Sequence, residues 1–406
     1  MFSDKKLSNR IFFLGVGVFA MLFSGILYAW SILKIPFKEE FGFADSSLAF
    51  NFTLTMSFFC IGAFLGSKLL KRMGVTLSVV LSGALVGIGF IGTAFVSGNV
   101  ALLYVFYALF AGLGIGIAYN VVISTVSAWF PDKKGLCSGV LMMSFGASTL
   151  ILGKVIESFF QNESIGWQKT YIIFGVVLAF VLILSGVLLK RPSAEVVFPA
   201  VKATKAAGKE SFEARDYTTA EMVKRFTFWR AFVCLVCLTA VGNSVISFAR
   251  DLVLSVGAEV SLASTLVGVL SICNGLGRIF TGALFDFAGR RITMLAANII
   301  TIFAAGVTLA AVYVNSLPLC IIGLCLTGIS YGSCPTVCSA FTAAFYGRKY
   351  FPTNFSITNF NLLAASFIAT LSSNLLLSTG SYAAPFILLL SLSVIALALN
   401  LSIRRP

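Results

Sequence analysis

The sequence predicts an all-α integral membrane protein with twelve transmembrane helices arranged as two six-helix bundles. Three observations carry that expectation. Of the 406 residues, 58% are hydrophobic and only 11% charged, whereas a soluble domain carries about 25% charge. Apolar runs of about 20 residues, the length that crosses a hydrocarbon core of about 30 Å, recur from one end of the chain to the other. The turns between them alternate in charge, and one long polar stretch interrupts the series near the middle. Lipid offers the backbone no hydrogen-bond partners, so spanning segments of this length must be helices.

Taken in order, the spans are expected at 11–33, 47–70, 75–97, 100–128, 136–160, 170–189, 229–250, 261–287, 292–314, 317–344, 356–378 and 384–403. One set of turns holds Lys71-Arg72, Asp132-Lys133-Lys134, Lys190-Arg191, Arg290-Arg291 and Arg348-Lys349. Counted with the termini, Lys68 and the long polar stretch, it carries 23 of the 29 basic residues, which predicts that these turns and both termini are cytoplasmic. The net charge of +14 is therefore read as topology and not as nucleic-acid binding. Lys5, Lys6 and Arg10 precede an apolar run too long for a signal-peptide core, so that run is expected to be the first span. The polar stretch divides the chain into a bundle at 1–190, a linker at 191–228 and a bundle at 229–406. In the linker Lys202, Lys205, Lys209 and Arg215 alternate with Glu210, Glu213 and Asp216, and Thr218-Thr-Ala-Glu221 has the pattern of a capping box that opens a short surface helix.

Span eight contains Ser271-Ile-Cys-Asn-Gly-Leu-Gly-Arg278, with Arg278 12 residues before Arg290 in the following turn. At about 1.5 Å per residue that is roughly 18 Å, about halfway through the core. An arginine at that depth costs at least about 2.5–3.5 kcal/mol on insertion scales, and no acid of this chain sits at its level. A guanidinium matches a carboxylate with two parallel N–H donors, so Arg278 is read as a site for a small anion. The alternative is a structural arginine bonded to carbonyls. Asn120, Asn243, Asn274, Asn359 and Asn361 are intramembrane amides that suit bonds across helices as well as substrate contact. Lys154 and Glu157, spaced i,i+3, and the neighbours Arg250 and Asp251 are read as interfacial ion pairs, the first with the alternative of an outer gate.

Other chemistries are excluded. The chain has no histidine, and its nine cysteines are scattered through the spans without paired spacing. Neither a metal site nor a disulfide framework is expected. Gly112-x-Gly114-x-Gly116 lies inside a span with no preceding strand and reads as helix packing, not as a dinucleotide fingerprint. No catalytic triad or phosphate loop is present, so an enzyme is not expected.

The two halves echo each other. Gly116-Ile-Ala-Tyr119 in span four recurs as Gly328-Ile-Ser-Tyr331 in span ten, and Lys71-Arg72-Met73-Gly74 occupies the place of Asp286-Phe-Ala-Gly289. Internal repeats of this kind build secondary transporters, whose substrate site lies at the midplane between halves.

Gly282-x-x-x-Asp286-x-x-Gly289-Arg290-Arg291 resembles the loop signature of the major facilitator superfamily. The resemblance implies that Asp286 caps a helix start and that Arg290 and Arg291 belong to a cytoplasmic gate, and Asp132, in the basic turn after span four, is read as part of the same gate and loop set. Lys71 departs from it, standing where an aspartate is expected. Ser24-Gly25-Ile-Leu-Tyr28-Ala-Trp30, Trp129-Phe-Pro-Asp132-Lys-Lys-Gly135-Leu-Cys-Ser-Gly139 and the Arg278 stretch are similar to the oxalate/formate antiporter family and, more distantly, to monocarboxylate transporters. That resemblance implies a carboxylate-binding role for Arg278 and aromatic site positions at Tyr28, Tyr119, Phe145 and Tyr331, with Trp30 beside them. Leu362 falls at or next to a lysine that the oxalate transporter uses for its dianion, and Gly25 falls where monocarboxylate transporters commonly place a carboxylate. Asn359 and Asn361 are the neutral donors left in that part of span eleven.

The expected protein is a transporter of a small organic anion in the cytoplasmic membrane, working by alternating access and anion exchange. Proton-coupled symport of lactate- or pyruvate-like acids and a non-transporting anion receptor are the alternatives. Its expected partners are a small carboxylate and membrane lipid. No cofactor, metal or nucleic acid is expected, and the chain is expected to act as a monomer.

Overall fold

In the computed structural model, residues 2–193, 196, 198 and 215–404 are described. Lys202, Lys205, Lys209, Glu210 and Glu213 of the expected linker lie outside the described residues. Among the described residues, ten helices are long and apolar enough to cross a membrane. Two of them, Asp45–Thr93 and Val260–Val314, have 49 and 55 residues. At about 1.5 Å per residue each exceeds 70 Å, far too long for one crossing of a roughly 30 Å core. Each is broken once, at Gly74 (φ 75°, ψ −173°) and at Gly289 (φ 75°, ψ −179°). That backbone region is open to glycine almost alone, and a Cβ at either position would meet no neighbour. Glycine is there for its torsion angles and not for space. Each long helix is thus long enough for two spans, which makes twelve candidate spans among the described residues.

Spans one, four and eleven are irregular among the described residues. Span one runs Phe2–Ser24, tightens to a 3₁₀ turn at Gly25–Ala29, and continues as Trp30–Leu33. Span four opens with the α-helical turn Val100–Leu103 and passes through a π-helical stretch, Tyr104–Ala111, before the α-helix Gly112–Ser127. Span eleven is interrupted at Phe360, between Phe351–Asn359 and Asn361–Thr379. There Phe360 N–H turns to Ile357 O at 3.2 Å and to Thr358 O, and the Asn361 side chain donates to the Thr358 carbonyl at 2.7 Å. A side chain inserted into the backbone ladder is a recognised cause of a helix break.

The expected surface helix forms at Thr219–Lys224 with both bonds of its capping box. Thr218 N–H donates to Glu221 Oε2 at 2.8 Å, and Glu221 N–H donates to Thr218 Oγ1 at 3.3 Å. The Thr218 backbone and hydroxyl bonds hold the Glu221 carboxyl below the usual range.

The chain gathers into two compact units. The first comprises Met1–Asp132 and Ser144–Ala200, the second Lys133–Met143 and Val201–Pro406. The repeat seen in the sequence has a packing counterpart in each. In the first, Gly116 seats on the Phe59 carbonyl of the long helix Asp45–Thr93. In the second, Gly328 seats on the Leu270 carbonyl of Val260–Val314. A side chain at either glycine would overlap that carbonyl, so both contacts need a residue without a Cβ.

Candidate functional site

In the second unit Arg278 is 3% exposed. Two of its five N–H donors are taken by neutral oxygens: Nε donates to Asn274 Oδ1 at 3.2 Å, and Nη1 donates to the Met142 carbonyl. The surrounding backbones pack closely. Gly139 meets the Arg278 carbonyl, Gly332 meets Asn274 and the Arg278 amide, and Thr336 Oγ1 donates to Arg278 O at 3.3 Å. Glycines on two neighbouring helices therefore seat the arginine and leave its neighbours little room to shift. Among the described residues no carboxylate pairs with it, and it is the one Lys, Arg, Asp or Glu side chain that is buried. Bonds to neutral acceptors contribute about 1.5–3 kcal/mol each to a charged group, which offsets part of a burial penalty of several kcal/mol. The structural arginine weighed from sequence is thus present in its bonds, while its charge stays uncompensated by protein.

The other candidates of the second unit separate clearly. Tyr331 is 5% exposed, its ring lies on Gly242, and its hydroxyl donates to Asn243 Oδ1 at 2.7 Å. Asn361 is engaged inside the helix bundle: Thr239 Oγ1 donates to its Oδ1 at 3.1 Å, and its Nδ2 donates to Thr358 O. The cross-helix role of that amide is the one observed. Asn359, 1% exposed, differs. Neither atom of its carboxamide has a partner among the described residues.

The loop signature also lies in this unit. Both Asp286 oxygens accept backbone N–H bonds at 2.8 Å, from Gly135 and Leu136, at the start of the helix Lys134–Gln161. A carboxylate there satisfies two orphan donors and the positive end of the helix dipole. Gly282 and Gly135 meet backbone to backbone beside it. Arg290 lies over the Phe345 ring at 5.1 Å and donates to Ile403 O at 3.5 Å, whereas Arg291 is exposed.

In the first unit Phe145, 2% exposed, is the centre of an aromatic cluster. Tyr28 meets it edge-on at 5.4 Å, Tyr119 at 5.2 Å and Phe59 at 6.1 Å, and Phe59 meets Tyr119 at 5.0 Å. Gly25 presses on the Phe145 carbonyl, which leaves no room for a carboxylate side chain at that position. Tyr28, Tyr119 and Phe145 are thus brought together. Phe59 joins them unforeseen, as one of 40 phenylalanines with no distinguishing motif. Trp30 does not join: its indole donates to Leu48 O at 3.1 Å and its ring packs on Tyr107 at 4.6 Å. Asp132 pairs with Arg10 at 3.1 Å.

Two expected ion pairs are corrected. Lys154 and Glu157 are both exposed and form no pair among the described residues. With lysine N-terminal to glutamate the order opposes the helix dipole, and exposed pairs gain little. Arg250 and Asp251 do not pair either, since adjacent helix positions do not face each other.

A twelve-span helical protein with one uncompensated buried arginine and a glycine-hinged loop signature is, by class, a multi-pass membrane transporter. The family model of the Major Facilitator Superfamily matches residues 12–250 and 231–406, and the chain belongs to that superfamily. It is 27% identical over 335 residues to the uncharacterized MFS-type transporter YhjX of Escherichia coli, covering 82% of this chain and 80% of that one. It is 26% identical over 293 residues to the oxalate:formate antiporter of Oxalobacter formigenes, covering 72% of this chain and 67% of that protein. Over 145 residues it is 28% identical to monocarboxylate transporter 12-B of Danio rerio, covering 36% and 30% of the two chains. The fold matches that of the proton:xylose symporter XylE at a TM-score of 0.74 over 99% of this chain and 97% of that one, with 13% identity. The resemblance read from the motifs is borne out, and the protein is not an enzyme.

Proposed function

We propose that this transporter carries a small organic monocarboxylate by alternating access and anion exchange, with Arg278 binding the carboxylate. The observation that carries this reading is the single buried charge. Arg278 is seated by neutral oxygens and has no carboxylate partner among the described residues. Tyr331, buried in the same unit as Arg278, supplies an aromatic wall that keeps water from screening an ion pair, and Tyr28, Tyr119 and Phe145 are further aromatic candidates by the motif resemblance. The similarity to the oxalate:formate antiporter and to a monocarboxylate transporter supports the substrate class. Asn359 is a candidate second donor, and Asn361 is held in reserve by its own bonds. Asp286, Gly289, Arg290 and Arg291 belong to the gate region, and the basic turns lie on the cytoplasmic side of the cell membrane. The chain acts as a monomer, with the helical bundles 1–190 and 229–406 as its two bodies.

Exchange is favoured over proton symport because no Asp or Glu side chain is buried among the described residues. A symporter keeps a titratable group beside its substrate. An unpaired arginine resists passing through a closed state empty, so one anion must leave for the next to enter. The test is uptake of labelled formate and L-lactate into proteoliposomes, with and without the same anion inside. Exchange requires the internal anion. Robust net uptake driven by a proton gradient alone would establish symport instead.

A further inference from the structure

We propose that the residues Asp216–Thr219 form a strap that fastens the half-helix Phe351–Asn359 of span eleven and thereby sets the position of Asn359. Asp216 is the fastening. Its Oδ1 accepts the consecutive backbone N–H groups of Arg348 at 2.8 Å and Lys349 at 3.0 Å. Tyr217 N–H donates to Tyr346 O at 3.0 Å, and Tyr217 O accepts from Asn354 Nδ2 at 2.9 Å. Thr219 Oγ1 donates to Asn354 Oδ1 at 2.9 Å. Both ends of the fully buried Asn354 carboxamide are therefore held by the strap. Tyr217 is itself buried, edge-on to Tyr346 at 5.7 Å and covered by the Arg215 and Arg225 guanidiniums at 5.4 and 5.5 Å.

The turn that receives Asp216 is shaped for it. Gly347 has φ 79°, and a Cβ there would run into the Asp216 carboxylate. The arrangement parallels that of Asp286, which holds two consecutive amides at the start of Lys134–Gln161. Span eleven is the repeat counterpart of that helix. The first-half loop carries Lys71 where an aspartate would stand, and here the carboxylate at the start of span eleven comes from the polar stretch between the bundles.

What the strap holds is a lever. Phe351–Asn359 has nine residues, with the strap bonded to its first turns and the break at Phe360 immediately after its last. The side-chain bond of Asn361 to the Thr358 carbonyl marks that break. At its far end Thr342 Oγ1 donates to Thr358 Oγ1 at 3.1 Å, and the last residue is Asn359, whose buried amide has no partner among the described residues. The strap stands on geometry alone; only the consequence of Asn359 for substrate rests on the proposed anion site.

The test is hydrogen exchange of the full-length protein in lipid nanodiscs, comparing wild type with Asp216→Ala and Gly347→Ala. Asp216 is exposed, so its loss leaves the core packed. Gly347→Ala displaces the same carboxylate by a different route. Both variants are expected to speed exchange across 347–360 by about tenfold, an opening easier by about 1.4 kcal/mol, while 361–379 keeps the wild-type rate. Arg278→Ala is expected to leave 347–360 unchanged, which keeps failure of the anion site apart from failure of the strap. Faster exchange confined to Arg348 and Lys349, or spread evenly over 347–379, overturns the proposal. In uptake of formate and L-lactate, whichever is carried, loss of the strap is expected to raise KM with little change in kcat. A loss of kcat at unchanged KM counts against the positioning of Asn359.

Discussion

The long helices Asp45–Thr93 and Val260–Val314 share a backbone and differ in chemistry. Both break at a glycine with φ 75°, and both receive a glycine of a neighbouring helix, Gly116 or Gly328, on a main-chain carbonyl. Before its break the first carries Phe59, packed into the Phe145 cluster, and Lys71, which is exposed. The second carries Arg278, buried and bonded to neutral oxygens, and Asp286, bonded to two helix-start amides. Repetition thus preserved what the backbone needs, while the charges were free to diverge. The second helix carries the buried and bonded charges, and the first carries an aromatic packed among aromatics of its own unit.

The largest effect that separates them is on anion binding. Arg278→Ala and Arg278→Lys are each expected to weaken carboxylate binding by at least about a hundredfold, or about 2.8 kcal/mol. Lysine keeps the charge and loses the planar donor fork. Phe59→Leu on the other helix is expected to cost less than about tenfold, or 1.4 kcal/mol. Both follow from competition by formate and L-lactate in a binding assay on folded protein. Equal losses from the two helices would end the division of labour.

Next comes stability. Asp286→Ala removes two charge-assisted bonds from a half-buried carboxylate and is expected to destabilise the protein by about 1–3 kcal/mol. Lys71→Ala is expected to fall within about 0.5 kcal/mol of wild type, as surface changes usually do. Thermal unfolding of the purified variants compares the two. Leu362→Lys adds a second cation to span eleven and is expected to shift preference about tenfold toward oxalate, or about 1.4 kcal/mol. Competition against formate uptake measures it, and no shift would mean that residue 362 does not face the substrate.

The glycine breaks should behave alike. Gly74→Ala and Gly289→Ala are each expected to cost about 1–3 kcal/mol, because both force a side chain into a region of backbone space reserved for glycine. A large cost in one and none in the other would dissolve the shared backbone. The smallest effect is Thr218→Ala, which removes the cap of Thr219–Lys224 at about 0.5–2 kcal/mol of local helix stability, read as faster exchange of the Glu221 amide.

The sequence alone pointed to apolar helices throughout the chain, to the turns that hold Gly74 and Gly289, and to Arg278 as a cation inside an apolar run. Hydrophobic run length, glycine and the absence of an acid at that depth are local facts, each with one physical consequence in a membrane. It also announced the capping box at Thr218, since a cap is written in four consecutive residues. What only the tertiary structure decided is which polar groups spend their bonds on the protein. Asn359 and Asn361 look alike in sequence, yet Thr239 and Thr358 occupy one amide and nothing described occupies the other. Phe59 became part of an aromatic cluster, and Asp216 a fastening for span eleven, through partners far away in sequence. Lys154 and Glu157 remained apart although their spacing permits a pair. Hydrogen bonds and ring contacts are short-ranged and directional, so spacing along one helix cannot choose among partners on the others.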